Sequence, residues 1–309
     1  LFDRVIDIEK CWLQQEPSNA IRLFIKDFTL EHKLSYYNVR AHEGLMRNVV
    51  IRCNGKGEFM VIVVINEENE LVRNVMIPEM QKRFPEIISI MLVINNKFND
   101  IITDLPFENV YGEECLIETM KAPREGHDDL KFRVGPVSFF QTNVYQGERL
   151  YKAAFDLADV KGDELMYDLY TGTGTIALYF ARFVKEVVGV EYVEEAIADA
   201  KINSEFNNIN NVKFYAGDMA KVFTDEFIEA NGRPDFVVTD PPRAGMHEKV
   251  VEQLLKIQPK KIVYISCNPA TQARDLQLLD SLYEVKAVQP VDMFPHTHHV
   301  ENIVLLQLR

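Results

Sequence analysis

The chain has 309 residues, 47% of them hydrophobic and 26% charged, with a formal net charge of −13 at pH 7. That length suggests two domains and a sizeable core, and the composition is that of an ordinary soluble globular chain. No apolar run is long enough to span a bilayer, and the acidic balance leans against a broad electrostatic footprint for nucleic acid while leaving room for a local basic groove.

The opening LFDRVIDIEK carries neither an initiator Met nor a signal-peptide pattern and reads as a fragment-like start. Residues 1–127 are expected to form an α+β domain with antiparallel strands. IRLFIKDF (21–28), LSYYNVRA (34–41) and RNVVIRC (47–53) are candidate strands, and Gly55-Lys56-Gly57 turns a hairpin into EFMVIVVIN (58–66). A helix over 72–84 and a strand at IISIMLVIN (87–95) follow. The polar segment KAPREGHDD (121–129), with its Pro and Gly, marks the boundary. Four cysteines, Cys11, Cys53, Cys115 and Cys267, are scattered without a CxxC pair or zinc spacing. That argues for a reducing, cytoplasmic setting and against a disulfide framework.

Over residues 128–309 strands and helices alternate regularly, the signature of a parallel sheet. The strands are ELMYDLY (164–170), EVVGVEY (186–192), VKFYAG (212–217), DFVVTDPP (235–242) and KIVYISCN (261–268), then YEVKAVQPV (283–291) and ENIVLLQLR (301–309). The last two lie too close in sequence for a helical crossover and should pair antiparallel. Five parallel strands with a terminal antiparallel pair predict an α/β domain of the Rossmann-like methyltransferase type.

Four strand ends carry chemistry. Asp168-Leu-Tyr-Thr-Gly172-Thr-Gly174-Thr175-Ile-Ala177 joins the first strand of this domain to its helix and fits the G-x-G-x-x-A fingerprint. Its glycines let the backbone approach a ligand at a helix N-terminus. Glu191 ends the next strand at the right remove to hold a ribose hydroxyl. Loop and acid together indicate a nucleotide-like cofactor without separating NAD from S-adenosylmethionine (SAM). The fourth strand ends in Thr239-Asp240-Pro241-Pro242-Arg243-Ala244-Gly245. Its prolines stiffen the loop and Asp240 points into the crevice. Amino-group methyltransferases place an aromatic residue after a similar Asp-Pro-Pro, and Arg243 in that place counts against adenine N6 chemistry.

The fifth strand runs through an apolar approach (261–265) into Ser266-Cys267-Asn268-Pro269, which puts Cys267 at the carboxyl end where open α/β sheets bind ligands. A thiol beside a methyl-donor site suits methylation at carbon 5 of a pyrimidine. Thiolate addition to carbon 6 activates carbon 5, and a base later removes its proton. Glu301, in His296-Thr-His298-His299-Val300-Glu301, supplies that base. The competing readings are an inert buried thiol and a metal site of three imidazoles with a carboxylate. Metal is the minority reading, because thiol, carboxylate and cofactor pocket already complete a mechanism.

These strings together resemble the RNA 5-methyluridine methyltransferases, SAM-dependent enzymes acting on uridines of tRNA or 23S rRNA. The matching blocks are FFQTN (139–143), DLYTGTGTIAL (168–178), GVE (189–191), TDPPRAG (239–245), SCNPATQARDL (266–276) and FPHTHHVENIVLL (294–306). The resemblance implies Cys267 as nucleophile and Glu301 as base. It implies SAM contacts at Gln141, Tyr170, Thr175, Glu191 and Asp240, with Gly172 in the cofactor loop. It further implies an RNA substrate, 23S rRNA ahead of tRNA, no membrane partner and a monomer. For Arg274 and Asp275 a helix-surface ion pair and a site role stay open. Two departures are Thr171, where many members have Cys, and Asn302, where Thr is common after the base. The family's N-terminal OB-like RNA-binding module has no counterpart here. Arg40, His42, Arg47 and Arg52 resemble the segment that opens its central domain, as RNA-phosphate contacts or as solvated strand ends. Cys11 resembles the last ligand of cluster-bearing members, but three further cysteines are missing, so no iron–sulfur cluster is expected. The alternatives are an NAD-dependent oxidoreductase on the same glycine loop and a catalytically silent RNA-binding homologue.

Overall fold

Alternation of buried apolar strands with amphipathic helices organises the chain, whose computed structural model describes residues 6–309. One compact unit contains the described residues up to Glu118 together with Val134–Val137, and a second contains Thr119–Arg133 and Ser138–Arg309. The 127/128 junction expected from composition lies between these crossings.

In the first unit, the segment expected as a strand at 21–28 lies inside helix α1 (Ser18–Glu31). Ile21, Phe24, Ile25 and Phe28 recur at helical spacing, so one face of α1 collects all four. They are buried in the same core as Phe59, Val61, Val63 and Ile65. That period outweighs the β-branched and aromatic content that suggests a strand. Residues 34–41 likewise form no strand: they make turns, with isolated bridges from Tyr36 to Met46 and from Asn38 to Glu43. Strand β1 (Met46–Cys53) and the wholly buried β2 (Phe59–Ile65) form the expected antiparallel hairpin. A π-helical turn (Val72–Met76) leading into α2 (Ile77–Arg83) then carries the chain to β3 (Ile87–Ile94). This crossover makes β2 and β3 parallel, which corrects the all-antiparallel expectation. Strand β4 (Glu108–Gly112) closes the sheet antiparallel to β3. The short strands β5 (Leu116–Met120) and β6 (Leu130–Val134) pair with one another.

In the second unit the chain continues into α3 (Val144–Ala158), capped by the Asn143 side chain. There follow β7 (Leu165–Leu169), α4 (Thr175–Ala181), β8 (Glu186–Glu191), α5 (Glu194–Phe206) and β9 (Val212–Ala216). The short helices α6 (Met219–Val222) and α7 (Asp225–Asn231) lead to β10 (Phe236–Thr239), α8 (Glu248–Ile257), β11 (Lys261–Ser266) and α9 (Pro269–Leu279), and β12 (Tyr283–Val291) and β13 (Glu301–Leu308) complete the unit. The seven strands lie in the order β12-β13-β11-β10-β7-β8-β9. Strand β13 inserts between β11 and β12 and is antiparallel to both, whereas the neighbours from β11 to β9 are parallel. This is the expected α/β sheet with its terminal antiparallel pair. The order reverses at β7: successive strands go outward on one side through β8 and β9, and on the other through β10 and β11. The crevice beyond the carboxyl ends of β7 and β10 is therefore the switch point at which such sheets bind ligands. Among the described residues, no helix is long and apolar enough to cross a membrane.

Candidate active site

Sheet register brings the sequence-predicted residues to one edge. Leu169 is paired with Val190 on one side and with Thr239 on the other, so Tyr170, Glu191 and Asp240 are the next residues out on three adjacent strands. The amide of Asp240 donates to the Leu169 carbonyl at 3.3 Å. On the neighbouring strands Ser266 pairs with Asn302. One further step sets Cys267, just past β11, across from Glu301, the first residue of β13.

The glycine loop is shaped by backbone that other residues adopt at a cost. Tyr170, Gly172 and Gly174 have φ of 67°, 55° and 79°. A Cβ on Gly174 would lie 3.0 Å from both Ala200 Cβ and Phe214 Cζ, so glycine is what lets the loop lie against α5 and β9. Glu191 is bonded to the same loop. Its Oε2 accepts from Gly172 N at 3.1 Å, and its Oε1 accepts from Tyr192 N at 2.8 Å and Val193 N at 3.0 Å. A carboxylate has about four acceptor sites, so Oε2 keeps one for a hydroxyl donor. Thr175 is buried at the start of α4, 3.4 Å from the Thr173 hydroxyl. Beneath the loop, Asp168 is wholly buried, accepts from Thr171 Oγ1 at 2.5 Å and leaves its Oδ1 without a partner. Burial raises its carboxyl to about 7.

Three acidic groups crowd the other half of the site. Asp240 is pushed well above the usual carboxylate range by burial, then by Glu301 and Asp168. Burial also raises Glu301 to about 7. The Cys267 thiol, partly buried, is raised by burial and by the charges of Glu301 and Asp240, while Arg243 acts in the opposite direction. Without substrate the nucleophile candidate is therefore a thiol at neutral pH, beside a carboxyl poised near neutrality to hold or release a proton.

The supporting residues are ones for which sequence reasoning left a choice or missed a role. Asp275 does form an ion pair with Arg274, at 2.7 Å, but the acid lies inside the fold. It is 1% exposed, its Oδ2 accepts from Tyr264 Oη at 2.6 Å and Met246 N at 2.8 Å, and its Oδ1 holds Arg274. Arg274 in turn donates to the Ala244 carbonyl, so the pair clamps the loop that follows Asp-Pro-Pro. Buried Gln272 donates to the carbonyls of Tyr264 and Asn302 and accepts from Asn302 Nδ2 at 2.6 Å, which braces the start of β13 and so Glu301. Asn302 is thus a structural member of this bracket. Tyr151, on α3, was missed altogether. It is buried, and its hydroxyl is raised by burial first and by the charges of Asp240, Asp168 and Glu301 second. Its only sequence signal is an apolar-face position on the helix that follows FFQTN. The histidines do not join Glu301 in a metal site: among the described residues no group of three or more His, Cys, Asp or Glu is placed to hold an ion. Cys11 bonds through its main chain to Asn19, and no disulfide joins the four cysteines.

A seven-stranded sheet with a glycine loop, a ribose-type acid and a cysteine–carboxylate edge defines the class of Rossmann-like methyltransferases. The chain belongs to the tRNA (uracil-5-)-methyltransferase family, whose model matches residues 114–309. It is 54% identical over its whole length to an uncharacterized RNA methyltransferase of Bacteroides thetaiotaomicron, of which it covers 67%. It is 49% identical to one of Porphyromonas gingivalis, covering 65% of it, so it spans about two thirds of the curated relatives it matches. The structure of the Pyrococcus abyssi tRNA (uracil-54, C5)-methyltransferase, in complex with S-adenosyl-L-homocysteine, is similar over 99% of this chain and 71% of that one, with a TM-score of 0.79 and 33% identity. A tRNA m1G37 methyltransferase from M. jannaschii shares the fold at a TM-score of 0.54 and 14% identity, over 97% of this chain and 81% of that one.

Proposed function

We propose that the chain transfers a methyl group from SAM to carbon 5 of a uridine in RNA through a covalent adduct on Cys267. The observation that carries this reading is the register of β11 and β13, with Cys267 opposite Glu301, Glu301 acting on Asp240, and both carboxyls acting on the thiol. Family membership supports it and leaves an NAD-dependent oxidoreductase without an explanation for Cys267 or Asp240-Pro241-Pro242.

The residues present suit SAM. Glu191 Oε2 has an acceptor site left for a ribose hydroxyl, and Gly172 and Gly174 let the main chain approach the ligand. Gln141, Tyr170, Thr175 and Asp240 are the further contacts, a neutral amide, a phenol, a hydroxyl and an acid suited to a zwitterionic tail. SAM supplies the electrophilic methyl group when bound. Cys267 Sγ adds to carbon 6 of the uracil, and the electron pair of the 5,6 double bond makes carbon 5 nucleophilic. Glu301 removes the carbon 5 proton once the methyl is in place. Re-forming the double bond then expels the thiolate. A group near neutrality suits this duty, since it is ionised enough to accept a proton and basic enough to keep it briefly.

The test uses RNA carrying 5-fluorouridine, whose carbon 5 has no proton to give up, in two arms, 23S rRNA and tRNA. A SAM-dependent protein–RNA adduct that survives denaturation is expected with the native protein and is expected to vanish in Cys267→Ala. Equal trapping by Cys267→Ala would remove the assignment, and the arm that traps identifies the RNA.

A further inference from the structure

The Cys267 thiol has an electrostatic problem: burial, Glu301 and Asp240 all oppose its ionisation, and the Arg243 guanidinium acts in the opposite direction. Arg243 is exposed, and an exposed arginine has many rotamers, most of which would carry its charge away from the thiol. Its backbone is tied down, for the Arg243 carbonyl accepts from Asn268 Nδ2 at 3.1 Å and Thr271 Oγ1 at 3.2 Å. Among the described residues its side chain has a single hydrogen-bond tie, a contact of Nη2 with His299 Nδ1 at 3.0 Å. Arginine has only donors, so His299 Nδ1 must accept and the ring proton must sit on Nε2. The ring is itself held: it packs on His298 at 4.2 Å, and the His299 amide donates to Thr297 Oγ1 at 3.2 Å.

We propose that His299 is a positioning residue: its neutral ring, accepting from Arg243 at Nδ1, anchors the guanidinium near Cys267, and this anchored cation lets the nucleophile ionise against the two carboxyls beside it. The inference rests on reading Cys267 as the nucleophile and adds the residue through which its charge is controlled. The tie joins the loop after β10 to the loop before β13, so the cysteine's counter-charge and the base's strand share one bracket.

The test measures the rate at which iodoacetamide alkylates Cys267 in the full chain, resolved by peptide mass spectrometry and followed from neutral to alkaline pH. His299→Ala is expected to slow alkylation at neutral pH roughly three- to tenfold and to move the rate–pH curve upward, as a thiolate losing its cation should. His299→Asn keeps an acceptor near the position of Nδ1 and is expected to restore the rate. Arg243→Ala should be as slow as His299→Ala, and the double variant no slower than either, because residues acting through one contact are not additive. An unchanged rate in His299→Ala, no rescue by His299→Asn, or additive losses would each overturn the proposal. Alkylation needs neither SAM nor RNA. A failed fluorouridine trap with this coupling intact would therefore sink the proposed reaction alone, and a successful trap without the coupling would sink this inference alone.

Discussion

Replacing Glu301 by Gln should damage turnover and stabilise the fold, and the two effects should separate by pH. Burial carries this carboxyl from its ordinary 4.5 to about 7. A raised carboxyl is one whose charged form the fold disfavours. Its favourable contribution is fully present below 4.5 and is lost as pH rises through about 7. Holding it ionised therefore costs about 3 kcal/mol at ~1.4 kcal/mol per tenfold in proton affinity. Glu301 is only partly buried, and discounting for solvent screening leaves about 1–2 kcal/mol. Glu301→Gln removes that penalty without changing the side chain's size. It should raise the melting temperature by about 3–6 °C at about pH 8 and by much less at about pH 5, given ~2–4 °C per kcal/mol for a domain of this size. With ordinary uridine RNA and SAM, the same variant should accumulate a methylated protein–RNA adduct, since nothing takes the carbon 5 proton. Thermal melts at the two pH values and a denaturing gel check both halves. A melting gain of equal size at both pH values would refute the electrostatic argument, and an inert variant without adduct would refute the assignment of the base.

The remaining expectations concern the cofactor acid and the loop clamp. Glu191→Ala removes an ionised acceptor and should weaken SAM binding by about 1.5–3 kcal/mol, roughly one to two decades; calorimetry showing unchanged affinity would take Glu191 out of the site. Asp275→Ala strands the Tyr264 hydroxyl and the Met246 amide, and should destabilise the protein by about 2–4 kcal/mol in urea titrations. A loss near zero, the value of an exposed ion pair, would restore the surface reading.

How much of this was legible beforehand follows from what kind of information each feature uses. The second unit's strands and helices were readable because each is a local pattern: short buried apolar runs, amphipathic helices, and glycine or proline at the turns. The placement of the candidate site was readable too, since Cys267, Asp240, Glu191 and the glycine loop each lie at the carboxyl end of a strand, and the parallel order then obliges them to share an edge. In the first unit local content misled. Residues 21–28 are rich in β-branched and aromatic side chains, yet their helical spacing matches the face that β2 offers, and burial outweighs propensity. Apart from the β1–β2 hairpin and the final antiparallel pair, which strand neighbours which was also beyond local reading. Only the sheet shows that β13 enters between β11 and β12, and that insertion, not sequence proximity, brings Glu301 opposite Cys267 across 34 positions of chain. The same holds for Gln272 and His299. Each is an unremarkable residue in its own segment, and each acquires its role from a hydrogen bond to a residue distant in sequence or on another element. Periodicity and turn chemistry act between neighbours, so sequence determined the elements and the strand-end residues. Burial, counter-charge and anchoring act through space, so the tertiary structure alone decided the perturbed carboxyls and the residues that brace the surroundings of Cys267.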